Sequence, residues 1–112
     1  MPDYFFHYTS RQAAQDIIGS GYLMPGPRGK LYLTEALYTS GAEAANRLAI
    51  TNKAAEVVGM IPRAVVGGAR PPTAVRPLWE GGTLTREGGG MELWVSHPVP
   101  AGAIQWLELS VP

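Results

Sequence analysis

Apolar positions occur on both faces of the first extended run. From residue 3 to 8, Tyr4, Phe6 and Tyr8 fall on one face of a strand and Phe5 and His7 on the other. An aromatic-rich strand covered on both sides is predicted. Thr9 followed three residues later by Gln12 has capping-box spacing, and Ala13, Ala14, Ile17 and Ile18 recur at helical intervals until Gly19 and Gly21. A helix therefore follows the strand directly. After MPGPRG, residues 30–34 alternate so that Leu31 and Leu33 share a face and Tyr32 points the other way. Ser40 and Glu43 repeat the capping spacing, and Ala44, Ala45, Leu48 and Ala49 form the stripe of a second helix, expected to end near Thr51 and Asn52.

The second half reads differently. Residues 56–61 and 63–66 have strand character interrupted by Pro62, which has no N–H to give to a central ladder and predicts an edge or a break. Residues 67–76 read as loop, 83–86 as a short strand, and 91–96 and 104–111 as better ones joined by the tight connector HPVPAG. Strand, helix, strand, helix and then only strands predict an α+β fold, with helices packed on a small mixed or antiparallel sheet. With no repeat and no linker, residues 1–112 are expected to form a single domain around one core.

Composition narrows the chemistry. Apolar residues outnumber charged ones, 46% against 16%, as in a globular chain rather than a disordered one. No apolar run approaches the roughly 20 residues of a membrane helix. The N-terminus lacks the basic and apolar regions of a secretory signal, so no membrane association and a cytoplasmic location are the expectations. Nine Lys and Arg balance nine Asp and Glu without a basic cluster along the sequence, and a nucleic-acid partner is not expected. The absence of cysteine excludes disulfides, thiolate nucleophiles and cysteine-ligated metals, and His7 and His97 lie too far apart in sequence for a zinc motif. No metal is expected. The glycine-rich GGTLTREGGG lacks the lysine of a phosphate loop, which excludes nucleotide hydrolysis by that route. Histidine, carboxylate, hydroxyl or a bound cofactor must carry any reaction.

Three positions stand out: His7 near the end of the first strand, Tyr32 beside Thr34, and Glu92 opening a strand after a glycine-rich segment. Each has a plain alternative. His7 alone reads as a half-buried strand histidine, Tyr32 as a packed aromatic and Glu92 as an edge-strand carboxylate in water. His97 reads as a turn residue, and Trp79, Trp94 and Trp106 as core or rim.

The fragments FFHYTSRQAAQDIIGSGYL, LYLTEALYTSGAEAANRL and GMELWVSHPVPAGAIQWLEL together resemble the diphtheria-toxin-like branch of ADP-ribosyltransferases, in its short bacterial form. The resemblance spans most of the chain from Tyr4 to Glu108 and is thinnest between residues 51 and 84. It implies a small split β-sheet with two helices in the N-terminal half, and NAD as substrate. His7 would then bond the ribose next to nicotinamide, the Tyr8 backbone would meet the nicotinamide amide, and Thr9 would complete this NAD-binding strand end. Tyr32 would stack on the nicotinamide ring. Glu92 would be the catalytic glutamate, a fixed anion beside the oxocarbenium-like ribosyl cation that forms as the glycosidic bond breaks.

The activity so implied is transfer of ADP-ribose to an unidentified acceptor, protein or small molecule, by a toxin-like or phage-related domain. Relatives that modify arginine often carry Glu or Gln two positions before the catalytic glutamate. This chain has Gly90 there, so arginine is not the expected acceptor. The loop of residues 79–90, with Glu80 and Glu87, is expected as a mobile lid or a plain turn. Two other readings stay open. One is an inactive module of the same fold that binds NAD, ADP-ribose or a protein. The other is an RNA 2′-phosphotransferase relative, which would need several basic residues where this chain offers scattered arginines such as Arg11, Arg28 and Arg47.

Overall fold

Strand β1 (Tyr4–Thr9) leads into helix α1 (Arg11–Ser20), followed by β2 (Tyr22–Leu23), β3 (Leu31–Leu33) and helix α2 (Gly41–Arg47). Next come β4 (Val57–Pro62), a single helical turn α3 (Arg63–Val66), β5 (Thr73–Ala74), β6 (Leu78–Glu80) and β7 (Thr83–Arg86). The chain continues through β8 (Met91–Val95), β9 (Val99–Pro100), a 3-10 turn (Ala101–Ala103) and β10 (Gln105–Glu108). This computed structural model describes residues 3–50 and 55–110.

The expected α+β class holds, with several small antiparallel sheets and, among the described residues, three helices where two were expected. One sheet has the order β1-β4-β10 and another β3-β8-β5, while β2 pairs with β9 and β6 with β7. Strand β4 is paired at both edges and packed on both faces, and Val57, Val58 and Ile61 are all buried. On one face Phe5 and Ile61 join Leu31, Leu33, Leu93 and Val95 of the second sheet in the larger core. On the other, Phe6, Tyr8 and Val58 pack with Ala44 of α2. Burial on both sides explains why the opening strand carries aromatics in both registers.

Helix starts follow local chemistry, with one correction. The cap of α1 is Ser10, whose Oγ accepts from the Ala13 N–H at 3.0 Å, and not Thr9. Thr9 stays in the strand, where its carbonyl accepts from the Glu56 N–H at 3.0 Å. Helix α1 ends as expected, at Gly21 with φ 90°, a left-handed conformation that glycine adopts without penalty. Its packed face is narrower than predicted: Ala14 is buried and Ile17 packs on the core, whereas Ile18 is exposed. Ser40 caps α2 by accepting from the Glu43 N–H at 3.1 Å. The expected end of that helix at Thr51 and Asn52 lies outside the described residues, but the helix already stops at Arg47.

The short strand expected at 83–86 is present as β7, and other expectations for the second half change. Residues 63–66 form helix α3 rather than a strand, because Pro62 closes β4 and the turn after it carries Val66 into the core. Within 67–76, Thr73–Ala74 pairs with β8. The segment 79–90 is not an irregular loop: β6 and β7 form a hairpin through Gly81 and Gly82, both at positive φ, as a two-residue turn requires. Its exit is tied to α2, with the Glu87 N–H donating to Asn46 Oδ1 at 2.8 Å and the Gly90 N–H donating to the Arg47 carbonyl at 3.0 Å. The final strand is shorter than 104–111, and Val111 lies outside the described residues.

Candidate functional site

The two three-stranded sheets share a single bridge. The Phe6 N–H donates to the Thr34 carbonyl at 2.7 Å, and the Thr34 N–H donates to the Phe6 carbonyl at 3.0 Å. In an antiparallel ladder every second residue turns its backbone groups to the same edge, so Tyr8 and Tyr32 would make the next rung. That rung is missing. Tyr8 pairs with Val58 on β4, and by alternation its own N–H and carbonyl aim at the gap. The Tyr32 carbonyl is taken instead by His7 Nδ1 at 3.4 Å. Past the bridge the sheets part, and the opening is a cavity of about 240 Å³.

His7, Tyr8, Tyr32 and Glu92 all line this cavity, beside Phe6 and Thr34 of the bridge and Leu48 and Ile50 from the chain after α2. The register explains the convergence. Tyr32 lies opposite Trp94 and Leu33 opposite Leu93, so Tyr32, Trp94 and Glu92 share the outer face of β3 and β8. Leu31, Leu33, Leu93 and Val95 fill the core on the inner one. Tyr32 is correspondingly 46% exposed, with its ring available to a ligand. The closed end of the split is pinned by an ion pair of Arg63, just after β4, with Glu35, just after the bridge.

Burial perturbs both His7 and Glu92. Desolvation pulls the His7 imidazole below its ordinary pKa, and the Tyr32 carbonyl opposes this in part. Burial thus favours the neutral ring. The contact with Tyr32 assigns its proton to Nδ1, which leaves Nε2 as a hydrogen-bond acceptor. Glu92 is half-buried, and burial raises its pKa above the usual 4.5. Its side chain has no hydrogen bond or ion pair among the described residues.

A carboxyl whose folded pKa is raised contributes stability below its unfolded pKa and loses that contribution as pH rises through the folded value. Glu92→Gln is therefore expected to be more stable than the parent at pH 7, with the gap closing below pH 4.5. Urea unfolding of both proteins at the two pH values checks this. A variant less stable at pH 7 would show that the carboxylate has a stabilising partner.

Tyr8 also holds the cavity wall in place. Its buried hydroxyl donates to the Ala36 carbonyl at 2.8 Å and accepts from the Tyr38 N–H at 2.6 Å, fixing the chain that leaves β3. Burial, aided by the nearby Tyr38 and Glu43 side chains, pushes the phenol up to about 12, although the bond from the Tyr38 N–H works in the opposite direction. Tyr8→Phe keeps the ring but strands two backbone groups, and a loss of about 1–3 kcal/mol in unfolding free energy is expected. An unchanged urea midpoint would show that water replaces the hydroxyl.

Other sequence candidates fall elsewhere. Thr9 is held in the β1 ladder and does not line the cavity. His97 lies at the β8–β9 turn, with Nε2 3.0 Å from the Val66 carbonyl and Nδ1 3.2 Å from that of Pro98. Gly90 has a structural cause: a Cβ there would sit 2.6 Å from Tyr38 Oη and 2.9 Å from the Arg47 carbonyl. Glu or Gln at this position would not fit while α2 stays in place. Leu48 and Ile50, which complete the cavity, read in sequence only as part of a helix stripe and its continuation.

Among the described residues, no group of three or more His, Asp or Glu side chains converges to hold a metal ion, and no helix is long and apolar enough to cross a membrane. The fold and site define an α+β protein with a cavity between two sheets that share one bridge. No family model matches the chain, and no curated protein or solved structure matches it.

Proposed function

We propose that the chain is an ADP-ribosyltransferase of the His-Tyr-Glu type, which cleaves the nicotinamide glycosidic bond of NAD and passes ADP-ribose to an acceptor. What carries this reading is the missing rung between Tyr8 and Tyr32, which opens a cavity where His7, Tyr32 and Glu92 meet beside unpaired backbone groups. The Tyr8 N–H and carbonyl complement the oxygen and amino group of a carboxamide. His7 Nε2 accepts from a ribose hydroxyl, and the Tyr32 ring stacks on the nicotinamide. The cavity lies just below the range of about 300–1,000 Å³ typical of small-molecule sites, which suits the nicotinamide-ribose half and leaves the rest of NAD outside.

In the reaction the C1′–N bond breaks, its electron pair leaves with neutral nicotinamide, and positive charge develops on the ribosyl ring. In this reading Glu92 supplies the anion that offsets that charge, and low solvation strengthens the effect. An acceptor nucleophile then bonds to C1′ and gives up its proton.

Titration with NAD followed by NMR, together with an assay of nicotinamide release, tests the reading. Binding with release supports it. Binding alone favours the inactive module, and neither sinks both. Tyr32→Ala is expected to weaken NAD binding by about 1–3 kcal/mol, the range for a base stacked on an aromatic side chain. Tyr32→Phe should cost much less, since stacking uses the ring. Calorimetric affinities for both variants check this, and equal losses would assign the contribution to the hydroxyl.

A further inference from the structure

We propose that Lys30 and Arg70, gathered around Trp94 and joined by Arg28, form a phosphate-binding subsite for a nucleotide on the face that carries Tyr32 and Glu92. Lys30 Nζ lies 4.8 Å from the centre of the Trp94 ring and Arg70 Cζ 4.9 Å from it. Tyr32 is directly opposite Trp94, and Lys30, two residues before Tyr32, falls on the same face by alternation. Arg70 is anchored from the other side, its backbone N–H donating to the Trp94 carbonyl at 3.1 Å. Arg28 and Lys30 line a surface hollow of about 280 Å³ that Tyr32 also borders, so Tyr32 separates this hollow from the cavity.

Position around Trp94 and Tyr32, together with free charge, sets these residues apart. Arg11 is bridged to Glu56 and Glu108, and Arg63 to Glu35. Arg28, Lys30 and Arg70 have no carboxylate partner among the described residues. A tryptophan face attracts cations without using up their N–H donors, so the ammonium and guanidinium groups stay available to an anion. Phosphate oxygens suit them, since guanidinium bonds phosphate through paired donors and lysine supplies a point charge. Glu92 is two residues from Trp94 along β8, about 7 Å, so a phosphate at Trp94 lies roughly one sugar away from that carboxylate. Zero net charge and separation in sequence conceal this patch.

The subsite stands on its own charges and does not require NAD in the cavity. Its phosphate would come from the diphosphate of a dinucleotide reaching out of the cavity, or from a separate nucleotide. The test titrates pyrophosphate and ADP into the full chain at low salt and follows the Trp94 indole N–H by NMR, assigned with Trp94→Phe. A saturable shift is expected, weakened by added salt and weakened about tenfold or more in Lys30→Gln and in Arg70→Gln. No shift, or unchanged affinity in both variants, overturns the proposal. Where pyrophosphate binds and displaces NAD, the subsite holds the dinucleotide's own diphosphate. Where both bind together, it holds a separate nucleotide. Pyrophosphate binding without any NAD binding would uphold the subsite and sink the reading of the cavity.

Discussion

Replacing Glu92 by glutamine is expected to lower nicotinamide release from NAD by about a hundredfold or more, the scale of removing one preorganised electrostatic contact from a transition state. NAD affinity should stay close to that of the parent protein. The amide fills nearly the same space, and the carboxylate faces a charge that exists only as the glycosidic bond breaks. The expected gain in stability of the same variant at pH 7 makes the result easy to interpret, because lost turnover then cannot come from unfolding. A functional carboxylate held at some cost to stability is a common compromise in active sites. Single-turnover nicotinamide release and NAD titration, run on both proteins, separate the two effects. Unchanged release, or affinity and release lost together, would remove Glu92 from the catalytic role.

The largest stability effect is expected at Gly41. A Cβ on this residue would overlap the Ala55 carbonyl oxygen and lie 2.9 Å from the Ala55 carbonyl carbon, both of them backbone atoms. Neither side has room to retreat. The Gly41 N–H donates to the Ser110 carbonyl at 3.0 Å, and the Gly41 carbonyl accepts from the Ala55 N–H at 3.2 Å. These bonds fix the first turn of α2 between the approach to β4 and the chain after β10. Gly41→Ala should therefore lose about 3 kcal/mol or more of unfolding free energy, the upper end of overpacking costs. Leu48 and Ile50, which follow α2 into the cavity wall, should move with it, so ligand binding is expected to weaken as well. Thermal and urea unfolding provide the measurement, and a variant with an unchanged midpoint would refute the close approach.

Much of the local structure was readable from residue type. Alternation located β1, β3, β4 and β8 to within one or two residues, and the Ser40–Glu43 pair marked the start of α2. It failed where two local signals competed. Thr9 and Ser10 both offer a cap, and the ladder bond to Glu56 retained Thr9 for the strand. Val65 and Val66 have strand propensity, but the chain after Pro62 turns helical to bury Val66. The glycines of 79–90 suggested irregularity, whereas Gly81 and Gly82 supply the positive φ that a tight hairpin demands.

The candidate site divides along the same line. Side-chain type and strand position made His7, Tyr32 and Glu92 stand out, each with a plain structural alternative, and the family resemblance implied their ligand roles; those properties are local. Their meeting in one cavity, the burial that shifts His7 and Glu92 in opposite directions, and the convergence of Lys30 and Arg70 on Trp94 were decided by the tertiary structure. The physical reason is the single bridge between Phe6 and Thr34. Whether two strands continue their ladder or part after one rung depends on how the sheets pack behind them, through contacts between residues far apart in the chain that no local pattern records.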